Sequence, residues 1–311
     1  MYNYPHYPVA TPQKAVPNMA SVYEVVTERI LSSLEQGVIP WRKEWKTAGK
    51  SSGLPYNLKS NAAYRGVNIM TLLCSPFAST GWCTYKQAQE LGYQVRKGEK
   101  SSPVVFWKFP TKAELLANPD KAPFAKMYSV FNVEQLDGVP VALPFEAEPF
   151  DAIAECETVV NSFMSSASHP TLAHGGDRAF YRQISDHVQI PARESFANPG
   201  GYYATLFHEF AHSTGIKARL HRPEFDGIGA FGDEPYSREE LTAEFASAFL
   251  CAESGIANDE RLANSVAYIQ HWIKALKNDK RLAVEASQKA QRAADYILGR
   301  TFVKAETEET A

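Results

Sequence analysis

The sequence predicts an α+β fold in two domains, and three observations support this prediction. The chain has 311 residues with 44% hydrophobic content, which suits one large or two medium domains. Residues 20–140 carry 15 Lys and Arg against 10 Asp and Glu, whereas residues 141–311 carry 16 against 25. Strand-like and helix-like patterns mix in the first half. The opposite charge balance of the halves predicts two domains with different functions.

The predicted boundaries follow changes in composition. Residues 1–18 and the acidic residues 301–311 are predicted to be disordered tails. A proline-rich, acidic stretch at 141–150 is predicted to link a front domain at 19–140 to a back domain at 151–300. The four cysteines are scattered, which favours a reducing cytoplasm. Neither a membrane-spanning run nor a secretion signal is found in the sequence.

The front domain is predicted to be α+β. Its predicted elements, in order, are a helix at 21–36, loops at 53–57 and 64–68, a strand at 82–85, a helix at 86–91, a turn at 95–98, and strands at 104–109 and 128–133. Aromatic residues are interleaved with cations here, since residues 42–108 hold 11 Lys and Arg and three Glu. Cations attract phosphates, and bases stack on exposed rings, so the mixture favours single-stranded nucleic acid. The alternative is that the rings are core residues and the charges a solvated face.

The back domain is predicted to begin with a helix at 151–164 and a hairpin of strands at 179–181 and 187–191. We expect the stretch 186–191 to be a sheet edge that can hold an extended peptide. A helix at 202–215, a mobile loop at 216–236 and a helix at 237–250 should follow. Ser237 and Glu240 are predicted to form a capping box at the start of that last helix. Two amphipathic helices at 259–276 and 281–298 are predicted to close the domain as a helical cap.

Residues 206–215 read L-F-H-E-F-A-H-S-T-G and contain the spacing H-E-x-x-H. On a helix, His208 and His212 lie four residues apart on one face, so both imidazoles can bind one metal ion. Glu209 is then placed beside the metal as a general base. Apolar neighbours argue against the alternative of two unrelated histidines on a surface helix, because a buried histidine needs a partner.

Catalytic zinc usually has three protein ligands, so a third is expected. Glu240 and Glu244 lie four residues apart beside an apolar stripe, where a dication would neutralise them. Helix geometry leaves either of them open as the ligand, and a solvated acidic face is the third alternative. Tyr236, just before this helix, is a possible oxyanion donor, with partial core burial as the competing interpretation.

The stretch 240–246, E-L-T-A-E-F-A, resembles the second helix of metallopeptidases whose third ligand is a glutamate. This resemblance implies that Glu240 is the ligand and that Glu244 is bonded to a ligating histidine. The implied cofactor is one zinc ion, with manganese or another transition metal as the alternative.

Motifs in both halves resemble the ArdC antirestriction family, which is related to plasmid primases of the TraC type. They are P-W-R-K-E-W at 40–45, Y-R-G-V-N at 64–68, V-R-K-G-E-K at 95–100, Y-Y-A-T-L-F-H-E-F-A-H-S-T-G at 202–215 and R-E-E-L-T-A-E at 238–244. The resemblance implies a bacterial, plasmid-encoded, cytoplasmic protein that binds single-stranded DNA. Cations and rings near predicted turns are then the DNA-contact candidates: Trp45, Tyr64, Arg65, Trp82, Lys86, Arg96, Lys97 and Lys100.

Together these features predict an antirestriction protein that protects a conjugating plasmid entering as a single strand. Its zinc, held by His208, His212 and Glu240, would activate a water whose proton Glu209 accepts. The expected partners are single-stranded DNA and an unknown protein substrate, such as a host restriction component, without membrane binding. The alternative is protection by DNA binding alone, with the metal site structural or holding a protein partner. A metal-dependent nuclease fits poorly, because such sites usually hold two metals among carboxylates.

Overall fold

The fold is given by a computed structural model, in which residues 19–36, 39–40, 54–77, 79–108, 110–118, 124–139, 152–196, 198–225, 234–256 and 265–300 are described. The predicted tails, the predicted linker at 141–150 and Trp45 lie outside these residues. Helices and strands occur in both halves, so the α+β prediction is confirmed. Within the described ranges, every helix is too short or too polar to cross a membrane.

The front half is built on a four-stranded sheet with helices packed against it. Its elements are α1 (Met19–Glu35), β1 (Tyr56–Asn57), α2 (Val67–Leu73), β2 (Gly81–Thr84), α3 (Tyr85–Glu90), β3 (Gln94–Val95), β4 (Ser102–Lys108), α4 (Lys112–Ala117), β5 (Phe124–Asn132) and β6 (Leu136–Asp137). The strand order is β1-β2-β5-β4, and β3 pairs with β6. β1 runs parallel to β2, and the other pairs are antiparallel. Thr84 ends β2 and starts α3, because its hydroxyl and the Gln87 side chain form a capping box.

The back half places a small sheet beside a helical bundle. Its elements are α5 (Ala152–Met164), β7 (Thr171–His174), β8 (Phe180–Arg182), β9 (His187–Ile190), α6 (Pro199–Ser213), α7 (Glu234–Glu253), α8 (Ser265–Asn278) and α9 (Leu282–Ile297). The predicted hairpin of β8 and β9 is present. The prediction that 186–191 is a sheet edge is wrong, because β9 lies between β7 and β8. The strand β7, which pairs with β9 in parallel, was not recognised in the sequence.

Two helix boundaries differ from the prediction. α7 begins at Glu234, so Ser237 lies inside the helix and the predicted capping box is wrong. Pro235 is the second residue of α7. Proline is tolerated in the first turn of a helix because its missing backbone N–H has no helical partner there. α6 begins at Pro199, where the Asn198 side chain accepts a hydrogen bond from the backbone N–H of Gly201 at 2.9 Å.

One hydrophobic core runs through both halves. A single cluster of buried side chains includes Val26 of α1 and Ile69 of α2 together with Phe207 of α6 and Trp272 of α8. A polar contact joins α1 to the turn between α8 and α9, since the Thr27 hydroxyl donates to the Lys280 carbonyl at 2.8 Å. The halves are therefore packed on each other through α1, and the H-E-x-x-H helix α6 and the front sheet belong to one continuous core.

Candidate functional site

Helices α6 and α7 bring three potential metal ligands together. α6 is almost wholly buried, which fixes its rotation about its axis and holds His208 and His212 towards α7. Their Nε2 atoms lie 3.0 Å apart. On α7, the Glu240 carboxylate lies 3.5 Å from Nε2 of His208 and 3.4 Å from Nε2 of His212. Two residues from one helix and one from the next thus face a single point.

The donor set fits a divalent metal ion. One ligand atom from each of His208, His212 and Glu240 can be chosen so that all lie within 4.8 Å of one another. Two imidazole nitrogens and a carboxylate oxygen are a set that catalytic zinc uses, and imidazole and carboxylate also suit manganese. Three protein donors leave a coordination position for water. The arrangement can therefore support metal-assisted hydrolysis.

Each histidine also has a carboxylate at its other ring nitrogen. Nδ1 of His208 lies 3.7 Å from the Glu244 carboxylate, and Nδ1 of His212 lies 3.2 Å from the Glu239 carboxylate. Metal-binding histidines usually donate this second nitrogen to a carboxylate or carbonyl, which fixes the tautomer and the ring orientation. Glu244 thus stands behind His208, whereas Glu240 faces both Nε2 atoms.

The sequence reasoning missed Glu239 and its partner Arg222. The Arg222 guanidinium donates to both oxygens of Glu239, at 2.8 and 2.5 Å, and to the Thr214 hydroxyl at 2.7 Å. Arg222 and Glu239 are both nearly inaccessible to solvent. Arg222 comes from the segment between α6 and α7, so no helical spacing connects it to the motif. The only sequence signal was a third glutamate next to Glu240.

Charges in the site are strongly coupled. Burial opposes the imidazolium form of His212, but the carboxylates of Glu240 and Glu239 outweigh it and raise its pKa to about 10. Burial acts against the charged form of Glu240 as well, yet His212 and His208 hold its pKa well below the usual range. The carboxylates therefore favour a positive charge at the point between the two helices, which is what a cation-binding site requires.

The two remaining predicted site residues lie close to this centre in the chain. Glu209 is buried on α6 next to His208. Tyr236 is partly buried and lies in the first turn of α7, one turn before Glu240. It was predicted to precede the helix, and the earlier start of α7 places it inside. Their roles as base and oxyanion donor remain predictions.

Two family models match the chain. Residues 20–131 match the N-terminal domain of anti-restriction factor ArdC, and residues 159–289 match a zincin-like metallopeptidase. A crystal structure of metal-free antirestriction protein ArdC from plasmid R388 is 36% identical, with a TM-score of 0.70, and the match covers 89% of this chain and 96% of that one. The chain belongs to the ArdC antirestriction family.

Other relatives agree with this assignment. The Mn(II)-bound structure of the same ArdC protein matches with a TM-score of 0.68 over 97% of its chain. Protein y4eC of Sinorhizobium fredii is 37% identical over 290 residues, which is 91% of its length. Two Escherichia coli proteins named DNA primase TraC are 36% and 37% identical. This ArdC-family chain spans only 20% and 27% of their lengths.

The structure contradicts two aromatic DNA-contact candidates. Trp82 is fully buried and Tyr64 is 6% exposed, and both lie in one hydrophobic cluster with Leu72, Val104 and Val130. Neither ring has a free face on which a base could stack. The sequence showed aromatic residues near turns, but the packing of α2 on the sheet decides which of them are buried.

Arg65, a third candidate, binds the back half of the ArdC-family chain. Its guanidinium pairs with Asp295, a buried residue of α9. Next to it, the backbone N–H of Gly66 donates to the Gln291 side chain of α9 at 2.9 Å. Gly66 has a φ of +55°, which a glycine adopts without strain. The motif predicted to be a DNA-facing loop therefore anchors the front half to α9.

The remaining cationic candidates are exposed. The Lys86 side chain is 74% exposed and lies 3.9 Å from Glu90. Arg96 donates to Glu99 at 3.0 Å, and Lys97 and Lys100 are exposed in the following turn. Their contact with DNA remains a prediction.

Proposed function

We propose that this protein is an antirestriction factor with a single-stranded-DNA-binding front half and a metal-dependent peptidase site in its back half. In this proposal it protects conjugating plasmid DNA from restriction in the cytoplasm of the bacterial recipient. The family assignment supports the antirestriction function. The peptidase part rests on one observation, the convergence of His208, His212 and Glu240 at a point next to Glu209.

In the proposed reaction, His208, His212 and Glu240 hold a divalent cation. Zinc is the first choice for this donor set, and the Mn(II)-bound structure of ArdC from plasmid R388 makes manganese the second. When bound, such an ion polarises the peptide carbonyl and acidifies its water. Glu209 accepts the proton of the attacking water and returns it to the leaving amine. Tyr236 donates a hydrogen bond to the developing oxyanion.

A structural metal site is the main alternative, and the donor set argues against it. Structural zinc sites are usually closed by four protein ligands, mostly Cys and His. Within the described part of the chain, the cluster offers three ligands, one of them a carboxylate. Glu209, a buried glutamate next to His208, can serve a hydrolase as a base. In a purely structural site, burying its carboxylate would only cost stability. These features favour catalysis over a DNA-binding-only protector.

Changing Glu209→Ala in the full-length protein separates the two functions. We expect metal content and DNA affinity to be retained, while plasmid transfer into a restricting recipient, relative to a non-restricting one, falls to that seen without the protein. Glu194→Ala is the matched control, because Glu194 is an exposed acid on a short turn of helix before α6. Full protection by the Glu209→Ala protein would refute the peptidase proposal and favour protection by DNA binding alone.

A further inference from the structure

Strands β4 and β5 turn part of one of their two faces to solvent. Side chains alternate along a strand, and Val105 and Trp107 of β4 and Ala125 and Met127 of β5 pack on the main core. The alternate residues point the other way. Val104 and Val130 of this side are buried in a second cluster. The remaining residues towards the Lys108–Phe124 end of the strand pair are Phe106, Lys108, Phe124, Lys126 and Tyr128, which we call the aromatic–lysine face.

The rings of this face are unusually exposed for large apolar side chains. Phe106 is 50% exposed and Phe124 is 44% exposed. The Phe106 and Tyr128 rings meet edge to face, with centroids 5.3 Å apart at 87°. This contact supports the Phe106 ring from one side and leaves its remaining surface in water. Exposed apolar rings reduce the hydrophobic stabilisation of a fold, so a cluster of them suggests a binding surface.

The strand register places a lysine across from each exposed phenylalanine. Phe106 pairs with Lys126 across the two strands, and Lys108 pairs with Phe124. Lys126 Nζ also lies 4.8 Å from the centroid of the Tyr128 ring. The sequences of β4 and β5, S-P-V-V-F-W-K and F-A-K-M-Y-S-V-F-N, contain no acidic residue. The face therefore offers ring surfaces and positive charge side by side.

We propose that single-stranded DNA lies across the aromatic–lysine face, with bases stacked on Phe106 and Phe124 and phosphates beside Lys108 and Lys126. This assignment rests on the proposed DNA-binding function and gives it a location. Unstacked bases can stack on the flat phenylalanine rings, and the lysine ammonium groups attract the phosphates. The combination therefore suits a single strand. The bases of a duplex are stacked on each other and cannot reach the rings. A purely apolar protein partner would gain nothing from the lysines.

The opposite side of the same sheet provides a matched control. Tyr85 is 46% exposed, close to the exposure of Phe106 and Phe124. It packs against Phe131, whose position on β5 faces away from Tyr128, at a centroid distance of 6.5 Å. Lys59, which pairs with Glu90 of α3, is an exposed lysine of the same region. Changes at Tyr85 and Lys59 thus remove an equivalent ring and cation from another surface.

The test measures binding of a fluorescent oligothymidylate to the full-length protein by anisotropy, at several salt concentrations. The variants are Phe106→Thr with Phe124→Thr, Lys108→Thr with Lys126→Thr, and the control Tyr85→Thr with Lys59→Thr. Removing each ring should weaken binding by about 5- to 150-fold, with little change in the salt dependence. Removing the two lysines should make the slope of log affinity against log salt shallower by about 1.4, since each phosphate contact adds about 0.7. The control should bind like the unchanged protein.

Three outcomes would overturn the proposal. If the unchanged protein does not bind the oligonucleotide, the proposed DNA function itself fails and the assignment fails with it. If it binds, and the face variants bind equally well or the control loses affinity, the strand lies elsewhere. If the Phe106→Thr and Phe124→Thr changes abolish self-association in sedimentation while DNA affinity persists, the face belongs to a second copy of the chain. Unfolding curves and circular dichroism verify that each variant remains folded.

Discussion

The candidate metal centre between α6 and α7 and the aromatic–lysine face place side chains in opposite environments. At the metal centre, Glu209, Glu239 and Glu244 are buried, and His208 is almost inaccessible. At the aromatic–lysine face, Phe106 and Phe124 are in water. The charged groups are inside and the apolar rings are outside, which is the reverse of what stabilises a fold.

This reversal is informative about function. A buried carboxylate costs free energy unless a cation or hydrogen bond compensates it. A half-exposed phenylalanine forgoes about half of the 1.5–3 kcal/mol that full burial would contribute. Arg222 compensates the Glu239 carboxylate within the protein. Under the two proposals above, bound ligands would account for the other features: a cation held by His208, His212 and Glu240 in the first region, and stacked bases in the second.

The largest expected effect is at the ligand position of the metal centre. Glu240→Ala should reduce affinity for zinc or manganese far more than Glu244→Gln does, because only Glu240 faces both Nε2 atoms. Glu244→Gln should cost about 10- to 100-fold, as for other groups behind a metal ligand. Titration with a competing chelator measures both. A larger loss for Glu244→Gln would exchange the roles of the two glutamates.

The second prediction concerns the buried ion pair behind His212. Arg222→Met should destabilise the metal-free protein by about 3–5 kcal/mol, because it leaves the buried Glu239 charge without its main partner. Arg238→Met is the control on α7, where the partner Asp279 is partly exposed, and should cost less than about 1 kcal/mol. Urea unfolding compares the two. If both changes lower the free energy of unfolding equally, removing the partner of the buried Glu239 is no more costly than removing that of the partly exposed Asp279.

The third prediction is a pH dependence of metal binding. Since the pKa of His212 is raised to about 10, this ring is protonated at neutral pH in the metal-free protein and must lose its proton to bind metal. Metal affinity should therefore rise about tenfold per pH unit between pH 6 and 8. The same shift stabilises the metal-free fold below about pH 6.5. That contribution is lost as the pH rises through about 10.

Glu239→Gln sharpens this pH test. Without the Glu239 charge the pKa of His212 should fall, so the rise in metal affinity should level off at a lower pH. Competition titrations at four pH values measure the slope. A slope that is zero for the unchanged protein would mean that no proton is displaced, and the charge coupling described for the site would be wrong.

The smallest expected effect separates structural cations from DNA-binding ones. Arg65→Met should cost about 1–2 kcal/mol of stability, because Asp295 on α9 is buried and Arg65 is half exposed. Lys59→Met, which removes an exposed pair with Glu90, should leave the free energy of unfolding almost unchanged. Oligonucleotide affinity should stay within about twofold for both proteins, apart from weak screening effects. A marked loss of affinity for Arg65→Met alone would restore Arg65 as a DNA contact.

How much the sequence could predict differed between the two regions for a physical reason. The spacing of His208, Glu209 and His212 defines a helical face by itself, and Glu240 and Glu244 share a face in the same way. Arg222 reaches Glu239 from an irregular segment, and only the folded chain reveals that contact. In the front half, composition indicated rings and cations but not their burial, so Trp82 and Tyr64 were assigned wrongly. The alternation in β4 and β5 was the signal that could have separated Phe106 from Trp107.

The shared core has a consequence for how this protein is inherited. Because α1 packs on α8 and α9, a gene segment encoding either half alone would leave a large apolar surface uncovered. The unit that can be moved between genes is the whole chain from α1 to α9. The TraC relatives agree with this view, since 89% of this chain aligns within proteins several times longer. Both halves are therefore kept together in these longer relatives, as the shared core requires.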